Sequence, residues 1–96
     1  MRLTFTWARL GAPHQPARDH AADRRRDARR LDRAAADAYA AWRECSTALA
    51  AAYLRWTHAG GYERATAFGR YRAALEREQR AANRYAALRL RCAAGG

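Results

Sequence analysis

His58-Ala59-Gly60-Gly61, between Trp56-Thr57 and Tyr62-Glu63, divides the chain. Residues 17–58 ahead of it contain no Gly or Pro, and this predicts one long helix. Residues 62–92 behind it predict a second helix. Gly60 is expected to take the left-handed conformation that ends a helix, and His58 sits where the helix end carries partial negative charge. Gly61 then serves as N-cap, with Glu63 in the next first turn. So short a connection makes the two helices antiparallel neighbours. The expected fold is an all-α, coiled-coil-like antiparallel two-helix hairpin.

Periodicity on both sides of the break agrees. Positions 28, 31, 35, 38, 42, 45, 49, 52 and 56 step by three and four, and none is charged. They hold Ala, Leu, Ala, Ala, Trp, Cys, Leu, Ala and Trp. The matching set in the second helix is Phe68, Tyr71, Leu75, Glu78, Ala82, Tyr85, Arg89 and Cys92. It is less clean and is widened by Ala67, Ala74, Ala81 and Leu88. Folding at 59–61 faces positions whose numbers add to about 120. Leu49 then meets Tyr71, Ala52 meets Phe68, Cys45 meets Leu75, Ala38 meets Ala82, Ala35 meets Tyr85 and Leu31 meets Arg89. Trp42 falls opposite Glu78, so its indole N–H has a carboxylate to reach. In this register Cys45 and Cys92 lie too far apart to bridge. Cys45 is expected to be buried and slow to react, and Cys92 to label quickly at a frayed end.

Towards the ends the signals change. Residues 1–9 alternate Leu3, Phe5 and Trp7 with Thr4 and Thr6, a period of two that predicts an extended strand. Residues 10–16 carry one Gly and two Pro and read as a linker, with Pro16 placed for a first-turn proline. Residues 93–96 read as a flexible tail. The expected organisation is thus 1–16 extended, 17–92 hairpin and 93–96 tail. A lone strand leaves its backbone unpaired. Residues 1–9 therefore pair with a second copy, add to a partner's sheet edge, stay flexible, or fold back as coil.

Composition bounds the rest. Twenty-seven alanines and 19 arginines among 96 residues, with no Lys, Val or Ile, favour helix over a β-sandwich or barrel. The formal net charge is +10, which suits an anionic partner or a solvated surface. No apolar run approaches the ~20 residues of a spanning helix, and no targeting signal is evident, so a cytoplasmic location is expected.

Two sets of residues stand out as candidate interaction surfaces. Tyr39, Tyr53 and Leu54 lie beside the seam, where two helices alone do not cover them. Together with Leu3, Phe5 and Trp7 they predict a protein interface, met by self-association into a helical bundle or by a protein partner. Arg70, Arg77, Arg84 and Arg91 recur every seven residues and predict a straight ladder on the outer face of the second helix. Such a row suits a phosphate backbone. The cluster of Arg24, Arg25, Arg26, Arg29, Arg30 and Arg33 interleaves with Asp19, Asp23, Asp27, Asp32 and Asp37 and reads as a self-neutralised helix surface.

Chemistry is nearly absent. His14, His20 and His58 are scattered, the two cysteines form no CxxC pair, and Ser46 is the sole serine. No catalytic residue, metal site, cofactor or small-molecule substrate is expected. A hairpin of about a hundred residues with Trp near its turn resembles the Trp-x-Gly family of actinobacterial secretion substrates in architecture. Trp56-Thr57-His58-Ala59-Gly60 departs from that family's turn, and Tyr85 is followed four residues on by Arg89 instead of an acid. No residue is carried across. The expected function is a non-enzymatic interaction or assembly module. The alternative is a basic protein that binds nucleic acid through its phosphates, without sequence specificity.

Overall fold

The computed structural model describes residues 14–95. They form two helices, α1 (His14–His58) and α2 (Glu63–Gly95). The expected strand with Leu3, Phe5 and Trp7 lies outside the described residues. α1 starts three residues ahead of the expected position, so Pro16 falls in its first turn, where a missing N–H costs no hydrogen bond. α2 runs through Cys92 to Gly95, because Ala93 and Ala94 are strong helix formers and continue it.

The chain divides into two units, one up to Arg30 and one from Leu31 onward. In the first, α1 is a solvated helix. Residues 23–30 are exposed throughout. Arg26 pairs with Asp23, and Arg30 with Asp27 at 3.5 Å. Such exposed pairs contribute a few tenths of a kcal/mol each. The 33/37 spacing, which also suits an ion pair, forms none.

The second unit is the antiparallel hairpin. α1 closes by tightening its last turn, with the Ala59 N–H donating to the Trp56 carbonyl at 3.2 Å. Thr57 Oγ1 and His58 Nδ1 donate to the Leu54 carbonyl at 3.0 and 2.8 Å. The left-handed residue is Gly61, with φ of 59°, and not Gly60. Once the three-residue bond has ended α1, no left-handed residue is needed there. The reversal instead falls where α2 begins, and the Gly61 carbonyl accepts the Arg64 N–H at 3.3 Å.

Alanine makes the core. Among the described residues, Ala35, Ala38, Ala52, Ala74 and Leu88 are the buried apolar ones. Ala35, Ala38 and Leu88 form one cluster, lined by Leu31, Ala34, Tyr85 and Cys92. Small residues let the two backbones approach, and larger side chains gather beside them. Near the turn, Trp56 stacks on Tyr71 at 5.1 Å and meets Phe68 at 5.0 Å, and Tyr53 meets Tyr71 at 5.7 Å. Further along, Tyr85 stacks on Trp42 at 5.7 Å and meets Tyr39 at 5.3 Å. Each such aromatic pair is worth about 0.5–1.5 kcal/mol beyond its burial.

The register differs from the expected one by about a turn. Tyr71 meets Tyr53 and Trp56, and Leu31 packs with Cys92 on the cluster that holds Leu88. Facing numbers add to 124 or 127 at the aromatic contacts between the helices and to 120 at the Trp42–Glu78 pair. The cause is the tilt of every helical side chain towards its own N-terminus. In an antiparallel pair the two tilts shift the meeting point in the same sense. Trp42 and Glu78 are long enough to bridge the offset, and the expected bond is present. Trp42 Nε1 donates to Glu78 Oε1 at 2.7 Å. Cys92 is half-buried against the alanine cluster and not at a frayed end. Cys45 is likewise only half-buried.

Candidate functional site

A heptad step returns a residue to nearly the same line along a helix. That rule sorts the hairpin's surface into two unlike flanks on either side of the alanine contact. On one flank, α1 presents Tyr39, Ser46 and Tyr53, and α2 presents Phe68, Leu75 and Ala82. On the other, α1 presents Ala34, Ala41, Ala48 and Arg55, and α2 presents Arg70, Arg77, Arg84 and Arg91.

The first flank is aromatic and only half covered. Tyr39 is 45% exposed, Tyr53 47%, Phe68 38% and Leu75 40%. Beneath them lie the half-buried Trp42, Trp56, Tyr71 and Tyr85. Of the expected interface residues, Tyr39 and Tyr53 fall on this flank. Leu54 is 56% exposed but sits one residue, or about 100°, further round the helix. Periodicity alone places Phe68 and Leu75 in the seam, opposite Ala52 and Cys45. The line of Ala67, Ala74, Ala81 and Leu88 holds the contact instead and turns Phe68 and Leu75 outward. The signal was present in the sequence as that second heptad line.

The second flank is cationic. Arg70 lines a surface cleft with Ala52 and Ala67, beside the seam, and heptad steps set Arg77, Arg84 and Arg91 on the same line and not on the outer face of α2. All four arginines of the row are exposed. The cleft lies at the turn end, with a volume of about 660 Å3. Arg55 and His58 of α1 and Arg70 of α2 contribute its basic side chains, and Glu63 its carboxylate. Tyr62, in the turn, is 94% exposed at its rim.

Among the described residues no group of three or more His, Cys, Asp or Glu side chains is placed to hold a metal ion. No helix among them is long and apolar enough to cross a membrane. Set against known proteins, the chain matches no protein-family model, no curated protein and no solved structure.

Proposed function

We propose that this chain is a non-enzymatic helical-hairpin assembly module, a small structural or adaptor subunit that docks through its aromatic flank. The supporting observation is the half-exposed row of Tyr39, Tyr53, Phe68 and Leu75 on one side of one hairpin. Two helices bury that row from below only, and further helices laid against it complete a bundle. The charge pattern favours a second copy as the occupant. Each chain carries +10, yet the six flank positions 39, 46, 53, 68, 75 and 82 hold no charge. Two copies meeting over these six positions bury no arginine, and Arg89, the next residue of the α2 line, is exposed at its far end.

Sedimentation equilibrium at micromolar concentration tests this. The expected result is a dimer or larger species that strengthens with added salt, because salt screens the repulsion between two cationic chains. Replacing Tyr39 and Tyr53 by Ser shifts the species towards monomer, with circular dichroism checking that helix persists. A folded monomer across that concentration range overturns the reading. So does association that Y39S/Y53S leaves unchanged while the helix signal stays intact.

A second reading rests on the other flank. Arg70, Arg77, Arg84 and Arg91 share one exposed line, and between residues 64 and 91 only Glu76 and Glu78 oppose eight arginines. Such a row supports phosphate binding without sequence preference, which weakens as salt rises. The two readings use different flanks and respond to salt in opposite directions.

A further inference from the structure

The arginine row does not simply end at the turn; it runs into a cleft. At 1.5 Å per residue, successive arginines of the row stand about 10 Å apart along α2. Arg70, the first of them, shares the cleft with Arg55, which comes from the opposite helix. Guanidinium groups from two helices flanking one space suit an anion better than a row on one face, because each offers a fork of N–H donors. His58 adds a third basic side chain. Its Nδ1 is engaged with the Leu54 carbonyl, so Nε2 is the remaining polar atom of the ring. Ala52, Ala59 and Ala67 also line the cleft and leave it room. Glu63 is the opposing charge.

Tyr62 is the feature that narrows the ligand. Among the described residues it is the most exposed of the large apolar side chains, at 94%, and it borders the cleft. An aromatic face beside a phosphate grip is how single-stranded nucleic acid is held, with the base stacked and the backbone in a cationic groove. In a duplex the base faces are already stacked on one another, and the ring finds nothing to cover it. We propose that the cleft seats one nucleotide of a single-stranded nucleic acid, its phosphate between Arg55 and Arg70 and its base on Tyr62, with the strand continuing along Arg77, Arg84 and Arg91. This rests on the phosphate-binding reading and adds to it a seat, a stacking residue and a preference for single strands.

Fluorescence anisotropy with a labelled 12-nucleotide oligothymidylate, and with a duplex of the same length, tests it on the full chain. Arg55→Gln and Tyr62→Ser alter exposed side chains outside the arginine row, and circular dichroism confirms that both variants fold. Tyr62→Ser is expected to weaken single-strand binding about tenfold and to leave duplex binding unchanged. Arg55→Gln weakens single-strand binding and lowers its salt slope by about 0.7. Glu63→Gln tightens it. If the native chain binds neither probe at low salt, the phosphate-binding reading falls and this inference with it. If Arg77→Gln/Arg84→Gln weakens binding while Arg55→Gln and Tyr62→Ser do not, the row binds phosphate and the proposed seat is overturned. Displacement of the strand by inorganic phosphate at equal concentration also overturns it, since it marks a site for free phosphate.

Discussion

Single residues in this hairpin differ sharply in what they tolerate, and three glycines show it. Gly61 has a left-handed backbone, and a side chain there costs about 1–2 kcal/mol. Gly60 has no positive φ, and a Cβ at either position meets nothing. Gly69 lies inside α2 with open space around it. Urea denaturation should therefore rank the variants in a fixed order. Gly61→Ala loses about 1 kcal/mol or more. Gly60→Ala stays within about 0.5 kcal/mol of the native chain. Gly69→Ala gains about 0.5–1 kcal/mol, as Ala replaces Gly in an exposed helix interior. Equal losses at 60 and 61 would put the reversal elsewhere. The sequence located the turn because two adjacent glycines interrupt helix-forming composition. It did not tell which glycine is left-handed, since that depends on how α1 closes its last turn. The Trp42–Glu78 bond was legible for a different reason. The heptad steps set Trp42 opposite Glu78, and two long side chains meet even where the helices are slightly offset.

At the scale of the element, the contact between α1 and α2 is a line of alanines with aromatics to one side. Enlarging a member of that line forces the helices apart. Ala74 is 2% exposed, and Ala74→Leu is expected to destabilise the hairpin by about 1–3 kcal/mol. Ala86→Leu, at an exposed position of the same helix, is expected to change stability by less than about 0.5 kcal/mol. Matched thermal melts of the two variants check this, and equal effects would remove Ala74 from the contact. Heptad spacing identified both lines on α2 but not which one faces α1. Size misleads here, because apolar weight marks Phe68, Tyr71 and Leu75, whereas close approach selects Ala67, Ala74 and Ala81. The same misreading put the arginine row on the outer face. Once the alanine line is innermost, the row lies next to it.

For the whole molecule, the all-α hairpin follows from composition, one break and a 3-4 repeat. The difference between its two flanks needed the contacts. One consequence concerns the order in which the hairpin closes. Trp56 and Phe68 are near in sequence, whereas Leu31 and Cys92 are far apart, yet both pairs belong to the same contact. Closing a loop costs more entropy as it lengthens, about 0.6 kcal/mol per doubling. Assembly is therefore expected to start at the Gly61 reversal and zip away from it, with opening from the far end. Native-state hydrogen exchange should show amides beside Trp56 and Phe68 as the most protected, with protection falling towards Leu31 and Cys92. Uniform protection along both helices would indicate a single all-or-none unit instead. A hairpin that opens in that order resembles a pair of tweezers hinged at its tight end. The cleft sits beside the hinge, on the half that opens last, and Tyr39 lies on the half that opens first. A strand held in the proposed cleft would thus meet a preformed seat, whereas a second copy laid on the aromatic flank would span both halves, from Tyr53 and Phe68 beside the turn to Tyr39 nearer the tips.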